Sequence, residues 1–390
     1  MSDDFELLII GAGPAGLAAA RAYRQLRRDG EVAIVGDEHR MPYERPPLTK
    51  ELLRGEIGFD QLAIEEEDWL IEQRVQLISG RAVTLDTGEH TVRLSGGRQL
   101  LYATCLLATG AEPKRLPIPG ADHPRVRIVR TADHVRELLV RLNGGARVTV
   151  IGSGFIGCEI AASLRMRGHP VQLVSDETAP NAARLGDEAA AIIRDWLRDD
   201  GVSLHLGAPV DRIEPGAGAA AVIAGERRIE ADVIVMASGV SPRSELAAQA
   251  GLELDDGAIG VDASMRTARD GLLAAGDVCK AHNLTAGRAR RVEHWGDALS
   301  QGEIAGATAA GSDVRWDSVP GFWSTIGTRT LKYAAWGDGF EQTSLRRHHD
   351  GGFTGWYGTG GRLVGVLTHD ADEDYERGSE RIALGARWTW

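Results

Sequence analysis

The chain contains several short apolar runs that end at glycines, and the first of them is the most informative. Residues 7–10 are all apolar and lead into Gly11-Ala12-Gly13-Pro14-Ala15-Gly16, after which residues 17–26 have the composition of a helix. A second apolar run, residues 32–35, ends at Asp37 and Glu38. This order predicts a β-α-β unit in which a glycine turn joins the first strand to the helix.

This glycine turn has the spacing of a dinucleotide-binding site. Gly11 permits a tight turn, Gly13 lets the backbone approach a pyrophosphate, and Gly16 lets the helix pack closely against the strand. The amides at the start of the helix then face the anion. Asp37 follows Gly16 by 21 residues, where a carboxylate can accept hydrogen bonds from both ribose hydroxyls. A helix-capping turn with a surface acid nearby is the alternative interpretation.

The same pattern occurs a second time. Residues 148–151 lead into Gly152-Ser153-Gly154-Phe155-Ile156-Gly157, 141 residues after the first turn, and residues 171–174 run to Asp176. Each unit also closes with an apolar strand that runs into a small-residue turn. In the first unit these are residues 106–110, with the turn Ala108-Thr109-Gly110, and in the second they are residues 233–238 with Gly239. Two such units predict two nucleotide cofactors, one supplying electrons to the other. A duplication with one inactive copy is the alternative.

Residues 42–50, Pro42-Tyr43-Glu44-Arg45-Pro46-Pro47-Leu48-Thr49-Lys50, are predicted to be a structured loop, because three prolines exclude a helix interior and a central strand. Thr49 is a candidate cap for a helix that begins here, which would fix Lys50 beside a cofactor. From its residue type alone, Lys50 is interpreted equally well as a solvated surface lysine.

The segments that follow predict further strands. Residues 75–78, 82–85 and 90–94 have strand patterns, and the last two are predicted to form a hairpin. Residues 271–278 predict a strand that ends at Gly276 and Asp277 and resumes the first domain.

The composition changes near residue 313. The tail contains six of the nine tryptophans, at positions 316, 323, 336, 356, 388 and 390. Short strands are predicted at 331–336, 353–357 and 363–367, with a helix near the end. Most of these aromatic side chains are expected in a core, and one or two are candidates to face a flat cofactor ring. The chain is therefore predicted to be an α/β protein with two Rossmann-like domains and a C-terminal α+β domain.

Composition and charge limit the classes of function. The 390 residues carry a formal net charge of −12, with 43% hydrophobic and 26% charged residues, which is typical of a globular protein of two or three domains. The negative charge disfavours nucleic acid and anionic membranes as partners. No apolar run is long enough to cross a bilayer, and the acidic first residues do not form a signal peptide, so a cytoplasmic protein is expected. The widely spaced Cys105, Cys158 and Cys279 predict buried thiols and no metal site.

Together these motifs resemble the flavoproteins with two dinucleotide-binding domains, most closely the NAD(P)H-dependent ferredoxin or rubredoxin reductases of bacterial oxygenase systems, with apoptosis-inducing-factor-like proteins as more distant relatives. The resemblance covers nearly the whole chain and is most specific in the loop of residues 42–50. It implies an FAD domain from residues 1–112 and 242–312, an NAD(P)H domain from 113–241 and a third domain from 313–390.

The resemblance also implies roles for individual residues. Lys50 is expected near the reactive edge of the isoalloxazine and paired with Glu159, and both are expected to act as electrostatic and positioning groups. Asp277 is expected to bond to the ribityl chain. The other implied cofactor contacts are Arg45 in the proline-rich loop, Val83 and Arg130 at the adenosine, Glu293, His294 and Trp295 beside the flavin, and Trp323 in the last domain.

The preferred nicotinamide cofactor is expected to be NADH, with NADPH as the alternative. Many NADH-using relatives carry Glu at the end of the second ribose-side strand, whereas this chain has Ser175 and then Asp176. The Asp176 carboxylate still disfavours a 2′-phosphate, and no arginine adjoins it. Arg184 is the nearest residue that could favour NADPH.

The cysteine positions restrict the acceptor. No cysteine precedes Cys105, which excludes disulfide reductases and single-cysteine NADH peroxidases that use a cysteine in the first domain. Electrons are then expected to pass singly to a [2Fe–2S] ferredoxin, or to rubredoxin, serving an oxygenase or cytochrome P450.

The candidate docking site for an acidic ferredoxin is a basic patch, and an ordinary solvated loop is the alternative. The patch consists of Lys280, Arg288, Arg290 and Arg291.

Two alternative functions are compatible with the sequence. The protein could reduce a small acceptor such as a quinone or oxygen, or it could be an NADH sensor that changes its association state. Monomer and homodimer are both compatible with the sequence.

Overall fold

The computed structural model describes residues 3–65, 67–142, 144–216 and 218–389. The chain divides into two compact units, each built from three separate stretches. Unit 1 consists of the described residues of Met1–Glu44, Ala63–Glu112 and Ser241–Phe322. Unit 2 consists of those of Arg45–Leu62, Pro113–Val240 and Trp323–Trp390.

The helices are, in chain order, α1 (Pro14–Leu26), α2 (Glu51–Arg54), α3 (Glu67–Glu72), α4 (Ala132–Arg141), α5 (Phe155–Met166), α6 (Ala182–Asp199), α7 (Glu245–Gln249), α8 (Trp295–Ala309) and α9 (Asp372–Ala383). Short 3₁₀ helices cover Pro46–Thr49 and Phe59–Leu62.

The strands are, in chain order, β1 (Asp4–Ile10), β2 (Val32–Gly36), β3 (Val75–Ser79), β4 (Ala82–Asp86), β5 (Thr91–Leu94), β6 (Gln99–Leu107), β7 (Ala111–Pro113), β8 (Val126–Arg127), β9 (Val148–Ile151), β10 (Val171–Val174), β11 (Ser203–His205), β12 (Arg212–Glu214), β13 (Ala220–Ala224), β14 (Arg227–Ala231), β15 (Val233–Met236), β16 (Val240–Pro242), β17 (Leu254–Asp255), β18 (Ala258–Val261), β19 (Leu272–Ala274), β20 (Cys279–Asn283), β21 (Arg288–Arg290), β22 (Gly321–Ile326), β23 (Arg329–Ala335), β24 (Gln342–Arg347), β25 (Phe353–Thr359) and β26 (Arg362–His369).

The main sheet of unit 1 contains the first β-α-β unit. Its parallel strands lie in the order β3-β2-β1-β6, and β19 also pairs with β6 in parallel. Residues 7–10 are buried, as expected for a parallel strand covered on both faces. The predicted hairpin is present, because β4 and β5 are antiparallel and β5 pairs with β6. A smaller sheet has the order β17-β18-β20-β21.

Helix α8 packs closely against α1 in unit 1 through two glycines. A Cβ atom on Gly302 would lie 2.2 Å from the carbonyl oxygen of Ala15, and one on Gly306 would lie 2.1 Å from that of Ala19. The two helix backbones therefore touch where larger residues would separate them. This contact holds α8 against the helix that begins at the first glycine turn.

Unit 2 contains a second parallel sheet, in the order β11-β10-β9-β15-β8. An antiparallel sheet, β12-β13-β14, lies in the same unit. Residues 45–50 of the proline-rich stretch also belong to unit 2, where Ser163 on α5 donates a hydrogen bond to the carbonyl oxygen of Thr49 at 2.8 Å. Arg167 donates to the carbonyl oxygen of Leu53 at 3.1 Å. These bonds fix Lys50 relative to α5.

The C-terminal part of unit 2 is an antiparallel sheet in the order β22-β23-β26-β25-β24, with α9. It packs on α6, because the buried Tyr357 hydroxyl donates to the carbonyl oxygen of Leu185 at 3.0 Å. The ring of Trp196 also meets the ring of His369 edge-on, with centroids 4.8 Å apart. Burial raises the pKa of Tyr357 well above its ordinary value.

The tryptophans of the tail are mainly core residues, as expected. Trp316, Trp336 and Trp356 are buried, whereas Trp323 is 45% exposed. Trp390 lies outside the described residues. Trp316 packs into the core of unit 1, so the chain is still in that unit after residue 313, and the C-terminal sheet begins only with β22. The division into three domains stays a prediction.

The expected cap at Thr49 is absent. Thr49 does not cap a helix: Lys50 precedes α2, and no side chain caps that helix. The reason is that the Thr49 hydroxyl donates to Glu159 instead. Helix α6 contains a break at Gly186, where φ is +78°. Among the described residues, no helix is both long and apolar enough to cross a membrane.

Candidate functional site

The first glycine turn has the geometry that a pyrophosphate site requires. Gly11 has φ of +127°, and a Cβ there would lie 2.1 Å from the carbonyl oxygen of Ala108. A Cβ on Gly16 would lie 2.0 Å from the carbonyl oxygen of Gly11, whereas one on Gly13 would meet nothing within 4 Å. Gly13 precedes α1 without a side-chain cap. The helix amides are therefore accessible where the backbone is open.

Several other predicted residues lie beside this turn in unit 1. A Cβ on Gly276, where φ is +80°, would lie 3.2 Å from the Cβ of Ala15, which places Asp277 next to the start of α1. Gln301 on α8 accepts from the Gly276 amide at 2.9 Å and is 1% exposed. Thr109 donates its hydroxyl hydrogen to the carbonyl oxygen of Arg243 at 2.7 Å.

The ribose-side acids of unit 1 have partners that the sequence did not reveal. Asp37 forms an ion pair with Arg243 at 3.3 Å, and both side chains are 35% exposed. Glu38 accepts a hydrogen bond from the Tyr43 hydroxyl at 2.5 Å. Arg243 thus joins the ribose-side acid to the turn at Thr109, which makes it a further candidate contact for the cofactor.

The segment predicted to run beside the flavin lies at the start of α8. His294 contacts Asp297 at 3.1 Å, and its ring lies 4.4 Å from that of Phe322. Trp295 is the first residue of the helix, and Glu293 forms an ion pair with Arg291 at 3.4 Å. These contacts order the segment within unit 1.

The second glycine turn repeats the geometry of the first in unit 2. A Cβ on Gly152 would lie 2.3 Å from the carbonyl oxygen of Ala237, and one on Gly157 would lie 2.0 Å from that of Gly152. Gly154 is open, with nothing within 4 Å of a Cβ, and it precedes α5 without a side-chain cap. Phe155 and Ile156 are the first residues of that helix, and Gly239 follows the neighbouring strand β15.

The ribose side of unit 2 contains a hydroxyl and carboxylate network. Ser153 donates to Glu177 at 2.9 Å and lies 2.8 Å from the hydroxyl of Ser175. Glu177 also accepts from the backbone amide of Asn181 at 3.1 Å. Asp176 is exposed. The sequence reasoning considered Asp176 and missed Glu177, which follows it directly.

Arg184 lies over the ring of Phe155, with 5.8 Å between the guanidinium carbon and the ring centroid. Its side chain therefore packs on the first residue of α5, close to the second glycine turn.

A buried ion pair joins the proline-rich loop to α5. The Lys50 ammonium lies 3.5 Å from Oε2 of Glu159, and the two residues are 5% and 3% exposed. Thr49 donates to the same oxygen at 2.5 Å. The other oxygen accepts from the Ser324 hydroxyl at 2.8 Å and from the Thr325 amide at 3.2 Å. Donors thus surround the carboxylate, as a buried charge requires.

The remaining predicted contacts differ in their surroundings. Arg45 donates to the carbonyl oxygen of Arg130 at 2.7 Å, so the structure brings these two residues together in unit 2. Val83 is 37% exposed on β4 in unit 1, and Trp323 is exposed on β22. No role was predicted for Gln301 or Ser324, because nothing in a single glutamine or serine marks it as a neighbour of the site.

The cysteines are unsuited to thiol chemistry. Cys105, Cys158 and Cys279 are buried and unpaired. Burial raises the pKa of all three thiols, that of Cys279 to about 12. A buried thiol with a raised pKa is a poor nucleophile. The described residues also contain no group of three or more His, Cys, Asp or Glu side chains that could hold a metal ion.

Comparison with known proteins agrees with this geometry. A model of the pyridine nucleotide-disulphide oxidoreductase family matches residues 5–302. Rhodocoxin reductase of Rhodococcus erythropolis is 33% identical over 375 residues, which cover 95% of this chain and 87% of the relative. The ferredoxin–NAD(+) reductase component of the anthranilate 1,2-dioxygenase system of Burkholderia cepacia is 33% identical, covering 97% of this chain and 94% of the relative.

A solved structure extends the similarity to the fold. The ferredoxin reductase for the CYP199A2 system of Rhodopseudomonas palustris has a TM-score of 0.93 and 30% identity, covering 100% of this chain and 96% of that one. The predicted fold class, α/β with parallel Rossmann-like cores, is therefore confirmed.

Proposed function

The chain belongs to the pyridine nucleotide-disulphide oxidoreductase family, and on that premise we propose that it is an FAD-dependent reductase that oxidises NADH and passes electrons singly to a [2Fe–2S] ferredoxin. Rubredoxin is the alternative protein acceptor. The observation that carries the proposal is the pair of glycine turns, one in each unit, each with an open second glycine and an uncapped helix. One turn supports a flavin nucleotide and the other a nicotinamide nucleotide.

The residues of unit 1 fit FAD. The open position at Gly13 leaves room for a pyrophosphate at the start of α1, and Asp37 with Arg243 offers an acceptor and a donor on the ribose side. Asp277 adjoins the same turn and is proposed to bond to the ribityl chain. When bound, FAD accepts a hydride and releases its two electrons one at a time.

The residues of unit 2 fit a nicotinamide nucleotide. Gly154 leaves the second turn open, and the start of α5 offers its amides to a pyrophosphate. Glu159 lies one turn into the same helix and is fixed by Lys50, Thr49 and Ser324. We assign to Lys50 and Glu159 an electrostatic and positioning role, because hydride transfer depends on orientation more than on proton transfer.

NADH is the proposed electron donor rather than NADPH. The ribose side of unit 2 carries the carboxylates of Asp176 and Glu177, which repel a 2′-phosphate. Glu177 is held in place by Ser153 and by backbone amides. Arg184, the nearest candidate for a phosphate contact, lies over the ring of Phe155.

The acceptor is proposed to be external to the protein. A redox-active cysteine pair is excluded, because the chain has no cysteine before Cys105 and all three thiols are buried. Relatives that cover nearly the whole chain carry the names of reductases that act with ferredoxin. A one-electron carrier of that kind requires two molecules for each NADH oxidised.

The proposal is tested by rapid kinetics of the purified protein with FAD bound. Anaerobic mixing with NADH in a stopped-flow instrument is expected to bleach the flavin absorbance rapidly, and NADPH is expected to do so much more slowly. Addition of a [2Fe–2S] ferredoxin, with cytochrome c as reporter, is then expected to reoxidise the flavin.

Three other outcomes would each contradict a different part of the proposal. Equal rates with both nucleotides would contradict the NADH preference. Rapid bleaching without transfer to ferredoxin would exclude the reductase and favour a small acceptor. Slow reoxidation with every acceptor, together with an NADH-dependent change in mass by light scattering, would favour a redox sensor.

A further inference from the structure

Unit 2 contains a cavity at the amino ends of strands β8, β9 and β15. The second glycine turn follows the carboxyl end of β9, so this cavity lies at the opposite edge of the parallel sheet. Its volume is about 220 Å³. The lining residues are Arg125, Arg127, Arg141, Gly144, Gly145, Ala146, Asp232 and Val233.

The charges around the cavity are predominantly positive. Within the described part of the chain, no ion pair involves Arg127 or Arg141. Arg125 donates to two main-chain carbonyl oxygens, at 2.9 and 3.0 Å. Burial is the main cause that lowers the pKa of Arg127; the nearby charges of Arg141 and Arg115 lower it further, whereas that of Glu137 raises it. The guanidinium groups therefore repel one another, and an anion between them would relieve that repulsion.

The single carboxylate among the lining residues, that of Asp232, is already hydrogen-bonded to an arginine. Asp232 accepts from the backbone amide and the Nε of Arg147, at 2.9 and 3.1 Å, and from its Nη2 at 3.0 Å. These hydrogen bonds lower the pKa of Asp232. Asp232 is thus neutralised by a residue that does not line the cavity, which disfavours a cation as the occupant.

Hydrogen-bond donors without acceptors also line the cavity. The Nε of Arg127 is buried and has no hydrogen-bond partner, which is costly unless a ligand or water supplies one. Gly144 and Gly145 have φ of +68° and +76°, and among the described residues their amides donate to no backbone acceptor. Neither glycine has an atom within 4 Å of where a Cβ would lie, so the backbone is open to a ligand.

We propose that this cavity binds a small phosphate-bearing anion, such as inorganic pyrophosphate, between the guanidinium groups of Arg127 and Arg141. Guanidinium groups form paired hydrogen bonds with phosphate oxygens, and open backbone amides add further donors. At about 220 Å³ the cavity is smaller than the pockets of roughly 300–1,000 Å³ that take larger organic ligands. The occupant is therefore a compact anion and not a dinucleotide.

The test is titration calorimetry with inorganic pyrophosphate at constant ionic strength. It uses the protein with FAD bound and saturating NAD⁺, so that both glycine turns are occupied. One saturable site is expected for the wild type. R127Q and R141Q are each expected to raise the Kd about tenfold or more, because a charge-assisted hydrogen bond is lost. The matched control R198Q, which removes an exposed arginine that pairs with Asp195 on α6, is expected to leave the Kd unchanged.

Three outcomes would overturn the assignment. They are the absence of saturable binding to the wild type, an equal loss of affinity in R198Q, and binding of malonate as tight as that of pyrophosphate. Arg141 lies at the exposed end of α4, so R141Q decides the question if R127Q does not fold. Flavin reduction by NADH is measured in the same preparations and is expected to be normal in R141Q, which separates this site from the proposed function.

Discussion

At the scale of single residues, Ser324 is the least obvious member of the site. Its hydroxyl donates to Glu159 at 2.8 Å, and both residues are buried. A hydrogen bond to a charged group contributes roughly 1.5–3 kcal/mol, and 1.4 kcal/mol corresponds to about a tenfold change in rate. Replacing Ser324 by Ala is therefore expected to slow flavin reduction by NADH about tenfold, measured by anaerobic stopped-flow, because Glu159 loses its fixed orientation.

The matched control is Ser264→Ala. Ser264 is buried and donates to the carbonyl oxygen of Val314 at 2.8 Å in unit 1. Both variants are expected to lower the melting temperature, but only Ser324→Ala is expected to slow reduction, and Ser324→Thr is expected to restore part of the rate. Equal rates in the two alanine variants would show that Ser324 has only a structural role.

Only some of the contacts of Glu159 could be predicted from the sequence. The Lys50–Glu159 pair could be expected from the proline-rich loop and the second glycine turn, because both motifs are specific. The contributions of Thr49 and Ser324 could not be predicted, since they lie 110 and 165 positions from Glu159. Thr49 was even expected to cap a helix, because the local pattern contains no information about a distant buried carboxylate.

At the scale of elements, the contact between α1 and α8 depends on glycines that leave no room for a side chain. Gly302 leaves no space for a side chain, because a Cβ would lie 2.2 Å from the backbone of Ala15. Gly302→Ala is therefore expected to separate the helices, to lower stability by about 1–3 kcal/mol, and to reduce the FAD content of the purified protein. Thermal unfolding and the ratio of flavin to protein absorbance measure both effects.

Gly296→Ala provides the control on the same helix. The nearest atom to a Cβ at Gly296 is 3.9 Å away, so the added methyl group fits and improves helix propensity. This variant is expected to be as stable as the wild type or more stable. Similar losses in both variants would show that the effect comes from glycine flexibility and not from helix contact.

The elements themselves were largely predictable, because apolar runs and glycine turns are local signals. Strands 32–36, 75–79 and 148–151 and helix α5 lie where the pattern placed them. The assignment of the segment 45–62 to unit 2, and of Trp316 to the core of unit 1, was not predictable. Both depend on which distant surface a segment packs against, and hydrophobic periodicity does not encode that.

At the scale of the whole molecule, charge distribution is the feature that bears on the acceptor. The net charge is −12, and the basic patch of Lys280, Arg288, Arg290 and Arg291 contains acidic neighbours. Lys280 pairs with Asp255 at 2.7 Å, and Arg291 pairs with Asp256 at 3.6 Å. The patch is therefore less positive than the sequence suggested. Its other two members, Arg288 and Arg290, lie on β21.

These two arginines provide a test of ferredoxin docking. They alternate along β21, which places them on the same face of the strand. R288E/R290E is expected to reduce ferredoxin-dependent turnover severalfold and to weaken its dependence on salt, because electrostatic steering of an acidic partner is lost. Reduction of ferricyanide, a small acceptor that needs no docking surface, is expected to stay unchanged.

The control R227E/R228E makes the same change of net charge at two exposed positions of strand β14 in unit 2. If docking depends on the local patch, this variant retains ferredoxin turnover and its salt dependence. If both double variants lose turnover equally, the overall field of the molecule governs the encounter and the patch has no specific role. If R288E/R290E loses ferricyanide reduction as well, the substitutions have disturbed unit 1 itself, since β21 precedes the segment predicted to run beside the flavin.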